Sequence, residues 1–347
     1  MKRARLIAVG VGLALVLSLA AACAGPAGPA PEAPMEAVQW DCMIYMAGIT
    51  TFHDIEKQKA FDRIKARTGG LLDIREVPQG GLPIKAEDWA KAVGRGELGM
   101  SEMSGGYHSG SFPLLGILDV PYLYSTKLEK RQVFDAARPI LQRELNKENI
   151  QVLFYRPAFT MCLVTTKPVD PRDMKGAKIR SYSLANAKQI EAMGGVAVPI
   201  AWSEAYSALE KGVAEGILTG ADSSYTAKFY EVAKYWYNTG PLHGIWFLGC
   251  TKDQWDSFPK DVQSIVYEEL SQWSGLGIAY SEEEMGNIWQ LVEAEGCTVE
   301  YPGPDYFDMM TTKVVKPFMA EEIAKTGEPL ATEMVTAIEA ALGRSIR

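Results

Sequence analysis

From Val38 onward the chain alternates short apolar runs with stretches of helical period. The runs at 38–46, 71–77, 98–103, 151–156, 161–166, 178–181, 196–199 and 245–250 read as strands, and apolar positions recurring at helical spacing predict helices over 54–67, 86–95, 127–148, 186–193 and 203–211. Strands interleaved with helices predict an α/β fold with mainly parallel sheets. From Pro259 the pattern changes to one long helix ending at Glu295, in which Ser274, Gly275 and Gly277 mark either a kink or a turn between two helices. Further helices over about 305–325 and 328–342 complete a helical tail. Two α/β lobes followed by a long helix predict a clamshell with the ligand between the lobes, where small-molecule sites concentrate.

The first 37 residues follow different rules. Lys2, Arg3 and Arg5 precede an apolar run from Leu6 to Ala22, and small residues lead into Cys23. That is the layout of an export signal; an uncleaved membrane anchor is the alternative reading of the same run. Residues 24–37 carry Pro26, Pro29, Pro31 and Pro34 among Ala and Gly, a composition that builds no core and forms an extended spacer. Leu19-Ala20-Ala21-Ala22-Cys23 resembles the lipobox of bacterial lipoproteins. The resemblance implies a signal peptide over 1–22, a diacylated Cys23 as the first mature residue, and a lipid-anchored linker over 23–37 that holds the folded part outside the cytoplasm, in the periplasm or at the cell surface. Two acyl chains suffice for stable anchoring.

Composition narrows the function. A chain of 347 residues makes one large or two medium domains, and a net charge of −8 argues against a nucleic-acid binder. Three histidines leave little room for a His-rich metal site, and no motif calls for a cofactor. Beyond Cys23, the cysteines Cys42, Cys162, Cys250 and Cys297 are widely spaced without a CxxC, which leaves disulfides and buried thiols both open. No G-x-S-x-G elbow, HExxH or Walker A sequence is present, so the chain reads as a binding protein, not an enzyme.

The informative block is 173–220. Lys178-Ile179-Arg180 is a short strand that ends on a guanidinium, whose rigid fork matches a carboxylate in two places; a plain surface arginine is the alternative. Further on, Ser203 is a candidate N-cap, Tyr206, Leu209 and Val213 recur on one face, and Gly212 is a stop signal. Trp202 is either core or a wall of the ligand site.

Asp173-Met174-Lys175-Gly176-x-Lys178-Ile179-Arg180, followed by Ser203-Glu204-x-Tyr206-x-Ala208-Leu209-x-x-Gly212-Val213-x-Glu215-Gly216, resembles the signature of the extracytoplasmic solute-binding proteins of TRAP transporters, the DctP-type family. TGGLLDIREVPQGGLP (68–83), LLGILDVPYLY (114–124) and WDSFPKDVQ (255–263) are similar to further segments of that family, so the resemblance runs in order over about 45–300. It implies two α/β lobes crossed by a long helix, lobe I being 38–157 plus 245–284 and lobe II 158–244 plus 285–347. It also implies hinge closure on a small organic acid, delivery to the membrane permease subunits, and a monomer. By the same resemblance Arg180 grips the substrate carboxylate, Trp202 packs on the ligand, Thr219 replaces a usual Asn, and Thr160 stands where sialic-acid binders carry a second Arg. Ser104 and Tyr107 fall where first-lobe contacts occur. Tyr182 and Trp246 are further candidates, as is His243, and Lys85 is one way to hold the second end of a C4-dicarboxylate. An ABC-type solute-binding lipoprotein shares the architecture without these blocks, a lipid-anchored hydrolase is the rival from another class, and a ligand-presenting sensor partner is a third possibility.

Overall fold

The computed structural model describes residues 35–45, 52–156, 160–240, 244–303 and 305–347. The chain divides into Met1–Glu36 and Ala37–Arg347, and the fold below is that of the second unit. The signal over 1–22, Cys23, the spacer as far as residue 34, and His243 lie outside the described residues.

The strands are β1 (Val38–Ile44), β2 (Leu72–Pro78), β3 (Met100–Ser104), β4 (Ile150–Arg156), β5 (Met161–Thr165), β6 (Lys178–Ser181), β7 (Val196–Pro199), β8 (Gly216–Gly220), β9 (Tyr235–Tyr237), β10 (Trp246–Thr251) and β11 (Thr298–Glu300). They form two sheets, ordered β2-β1-β3-β10-β4 and β11-β9-β5-β8-β6-β7. Both are mixed, which corrects the expectation of mainly parallel sheets: β10 runs antiparallel to β3 and β4, and β5 antiparallel to β8 and β9. The chain leaves the first sheet after β4, builds most of the second, and returns through β10 into the middle of the first. A strand buried on both faces, such as Trp246–Thr251, has the same apolar text in either direction, so the pattern could not reveal this reversal.

The helices are α1 (Phe52–Arg67), α2 (Trp89–Gly94), α3 (Gly105–His108), α4 (Pro113–Ile117), α5 (Lys127–Asn146), α6 (Leu184–Ala192), α7 (Ala205–Glu210), α8 (Ala221–Thr226), α9 (Lys252–Ser257), α10 (Lys260–Ala294), α11 (Asp305–Met310), α12 (Lys316–Thr326) and α13 (Leu330–Leu342). Ser203 does not cap α7: it sits inside a 3-10 turn, Trp202–Glu204, and α7 then stops at Glu210, which leaves Val213 exposed. Gly212 follows with φ near +70°, the left-handed conformation that suits glycine after a helix.

Helix α10 is continuous through Ser274, Gly275 and Gly277, so no turn divides it into two helices. Its 35 residues reach roughly 50 Å at ~1.5 Å per residue, enough to cross both lobes. Val262, Val266, Leu270 and Trp273 are buried on the first half, which packs on α1, where Arg63 and Arg67 also bind Glu269 at 2.6 and 2.8 Å. On the second half Ile288, Trp289 and Val292 join the core of the second sheet with Leu209, Ile217 and Trp236. Among the described residues no helix is long and apolar enough to cross a membrane.

In the tail, α12 packs against α4, and α13 against α4 and α5, beside the first sheet. Helix α13 buries Ala331, Met334, Val335 and Ile338, and Arg143 of α5 holds Glu333 through both carboxylate oxygens at 2.7 and 2.8 Å. Chain order alone carries no signal for this return.

Candidate functional site

The second sheet presents Arg180 near the C-terminal end of β6, in register with Ile217 of β8 and Val198 of β7. Ligands of α/β sheets bind beyond that end of the strands. The Arg180 side chain is 3% exposed. Its Nε donates to the Ile200 carbonyl at 2.8 Å, and the guanidinium carbon lies 5.7 Å from the Tyr182 ring centre and 5.8 Å from that of Trp202. Among the described residues no carboxylate lies within ion-pair distance of it. Burial pulls its pKa below the ordinary arginine value, with the Tyr107 and Tyr182 hydroxyls opposing.

Arg156 of the first sheet supplies the contrast. It is equally buried, yet its Nε lies 2.6 Å from Glu102, and Asp54 is 3.5 Å away. Lys57 joins the same cluster, 3.1 Å from Glu76 and 3.2 Å from Glu102. Burial works against the charge on Glu102, but Arg156 and Lys57 together hold its pKa below the usual carboxylate value. Buried charge is tolerated when it is paired. Of the two buried arginines, Arg156 has its counter-ions built in and Arg180 does not.

Between them runs an aromatic ladder. Tyr107, from the short helix α3, stacks on Tyr45 at 4.2 Å between ring centres and faces Tyr182 at 6.3 Å. Tyr45 directly follows β1 and also stacks on Trp89 at 4.7 Å and meets Trp246 edge-on at 4.8 Å. Burial pushes the Tyr107 hydroxyl up to about 12 against the pull of Arg180. Phenol and guanidinium thus come from opposite sheets and converge on one space.

The other candidates fall into two groups. Ser104 and Trp246 face each other in the β3–β10 ladder and belong to the layer behind Tyr45; Ser104 is buried with its Oγ unpaired, while the Arg156 guanidinium lies 5.1 Å over Trp246. Trp202 is half-buried: the Arg180 guanidinium lies over its ring, which packs on Phe229 of the core at 5.6 Å. Thr160 accepts the Ala221 N–H at 3.0 Å, and Thr219 is buried opposite Cys162. Among the described residues no hydrogen bond or ion pair joins either threonine to Arg180. Lys85 is exposed, at the start of the 3-10 turn before α2. Cys42, Cys162, Cys250 and Cys297 are all buried free thiols.

Sequence reasoning missed Tyr45, Asp119, Asn186 and His108 as parts of this region. Asp119 is 5% exposed, and burial pushes its carboxyl up to about 7, with Lys130 and the Gly106 amide opposing. His108 is fully buried against the Ser104 backbone and the Tyr45 hydroxyl, and burial pulls it down to about 4. A position at the C-terminal end of a strand was the only available signal, and it applied to Tyr45 alone.

Comparison with known proteins gives a consistent picture. The family described as bacterial extracellular solute-binding protein, family 7 (DctP), matches residues 50–322. The chain is 26% identical over 256 residues to the 2,3-diketo-L-gulonate-binding periplasmic protein of Escherichia coli, covering 72% of this chain and 74% of that one. It is 26% identical over 243 residues to the C4-dicarboxylate-binding periplasmic protein of Rhodobacter capsulatus, covering 67% and 70%. A marine metagenome TRAP solute-binding protein specific for pyroglutamate, from an unidentified microbe, superposes with a TM-score of 0.75 at 25% identity, over 88% of this chain and 99% of that structure.

Proposed function

Because the chain belongs to family 7 of the bacterial extracellular solute-binding proteins, we propose that it is the extracytoplasmic receptor of a TRAP transporter, closing two lobes over a small organic carboxylate and handing it to the permease. The observation that carries the carboxylate is Arg180: a guanidinium buried to 3% exposure with one backbone partner and, among the described residues, no acid beside it. A ligand carboxylate supplies the missing counter-ion, and the fork geometry makes arginine the suitable residue. The three relatives named above bind, by their descriptions, diketogulonate, C4-dicarboxylates and pyroglutamate, all of which carry a carboxylate. One guanidinium among Tyr107, Tyr182 and Trp202 favours a single carboxylate on a compact body, with Tyr107 of lobe I closing over it.

In this reading the lobes divide near 157 and 245, closure is a hinge-type population shift, and the bound acid stabilises the closed form through contacts to both lobes. The receptor works as a monomer on a membrane tether, with Cys23 carrying the lipid. Cys23→Ser is expected to stop acylation, leaving an unprocessed or soluble protein; normal incorporation of labelled fatty acid in that variant contradicts the tether.

A thermal-shift panel of mono-, di- and 2-oxo-carboxylates, aromatic acids, sugars and amino acids tests the receptor itself. A ligand at ~100 times its dissociation constant adds about 2.7 kcal/mol, a rise of a few degrees in melting temperature. The expected hits are carboxylates. Hits confined to neutral solutes would contradict the role given to Arg180.

A further inference from the structure

Beside the Arg180 cradle, and sharing Tyr182 as a wall, lies a small open recess with about 20 Å³ of free room, enough for one small polar group. Asp119, Tyr122, Tyr182, Asn186, Gln189 and Gly244 line it, so it is walled from both sides of the cleft. One of these residues, Asn186, carries a buried polar atom without a hydrogen-bond partner, and a second, Asp119, brings a carboxyl to the same space.

Asn186 is 1% exposed and sits in the first turn of α6, where the Ser183 Oγ caps its N–H at 3.2 Å. Its Oδ1 accepts the Tyr182 N–H at 3.3 Å, which fixes the orientation of the amide; Nδ2 then has no hydrogen-bond partner. A buried donor left without a partner is costly, so a native structure that keeps one needs a reason. Asp119 brings a carboxyl to the same recess from the turn after α4, with the Gly106 amide facing it and Lys130 and Glu322 as its charged neighbours. A Cβ on Gly244 would run into Asp119 Oδ1, so this position must be glycine for the carboxyl to lie where it does.

We propose that this recess is the second subsite of the ligand cleft and takes a neutral group that both donates and accepts, of which an amide is the best match. The ligand N–H donates to Asp119 and its C=O accepts from Asn186 Nδ2, while its carboxylate lies on Arg180. The inference rests on the receptor reading of the Arg180 site. A second carboxylate would pair with Asn186 but meet Asp119 as a like charge, and an ammonium would suit Asp119 but leave Nδ2 unmade. A methyl ketone would accept from Asn186 and offer Asp119 nothing. Sites built to hydrogen-bond a polar group reject analogues that lack it, because the buried partners are left unpaired.

Four acids of matched length read this directly: 4-amino-4-oxobutanoate, succinate, 4-oxopentanoate and 4-aminobutanoate, titrated by calorimetry into the full chain in mild detergent at about pH 8. The amide is expected to bind at least about tenfold more tightly than the other three. In Asp119→Asn, which removes the like charge but keeps an acceptor oxygen, its advantage over succinate falls to within about twofold, and Arg180→Ala removes binding of all four. If the four bind alike in the unsubstituted protein and Arg180→Ala removes them, the subsite is overturned and the receptor stands. An amide preference over succinate that survives Asp119→Asn overturns the assignment of Asp119. Failure of all four, with another carboxylate of the wider panel binding through Arg180, overturns the subsite; binding that ignores Arg180→Ala overturns the receptor reading itself.

Discussion

Arg180→Ala is expected to weaken acid binding by about 100-fold or more while leaving the ligand-free protein at least as stable as before. The two halves of this result have one cause. The guanidinium is desolvated in the fold, with the Ile200 carbonyl as its hydrogen-bond partner and two aromatic faces beside it. That arrangement costs stability until an anion arrives. Removing the charge removes both the cost and the reason for it, the trade between stability and activity expected of a binding site. Arg180→Lys keeps a charge but loses the fork and the stacking on Tyr182 and Trp202, so affinity should still fall by about tenfold or more. Arg156 should behave in the opposite way. Its truncation strands Glu102 and Asp54 against Lys57 in the interior, and so lowers the melting temperature of the free protein. Calorimetry and melting curves on the three variants measure both effects; an Arg180→Ala protein that melts far below the parent would show that the residue holds the fold together.

The second large effect concerns pH. Asp119 has its carboxyl pushed up to about 7, chiefly by burial, from an ordinary value of 3.8. The folded chain therefore holds this proton more tightly than the unfolded chain does. The stability this contributes is fully present in acid and is lost as the pH rises toward 7. Lys130 offers little relief, because its own pKa is depressed by burial and its Nζ has no hydrogen-bond partner. Asp119→Asn keeps the shape and removes the ionisation. Its stability relative to the parent is expected to improve by on the order of 2–3 kcal/mol between about pH 4.5 and about pH 8. Denaturant unfolding of both proteins at the two pH values checks this. A difference that is the same at both would show that Asp119 titrates normally in the fold. His108 carries the opposite sign: its pKa is held down near 4, so its contribution is lost as the pH falls from the ordinary 6.5 toward 4.

Much of the architecture was legible in the order of apolar runs. The strands at 38–44, 72–78, 150–156, 161–165, 178–181, 196–199 and 246–251 fall within a residue or two of their expected positions. Long amphipathic helices were legible for the same reason. The strands β8, β9 and β11 were not, because Gly216–Gly220 is bounded by glycines and Tyr235–Tyr237 and Thr298–Glu300 are too short for a period to register. Helices α3, α4 and α8 are single turns or little more, and α3 is the one that delivers Tyr107. At the site, Arg180, Tyr107, Tyr182 and Trp202 were all named from the sequence, and the structure brings them around one space. Tyr45 went unnamed because its partners lie far away in the chain, at Tyr107 and Trp246, and Asn186 because its hydrogen bonds to Tyr182 and Ser183 are an ordinary helix-start pattern that carries no sign of a buried, unpartnered Nδ2. Asp119 was seen only as part of the family-like segment 114–124; its burial beside Lys130 is a tertiary fact with no local pattern.

The central claim is that the missing counter-ion of Arg180 is the carboxylate of the ligand. The measurement that tests it most directly is the affinity of the strongest acid from the panel set beside that of its methyl ester, which keeps the shape and removes the charge. The account predicts a loss of about 100-fold or more in the ester, matching the loss caused by Arg180→Ala, with no further loss when ester and variant are combined. Equal affinities for acid and ester would contradict it.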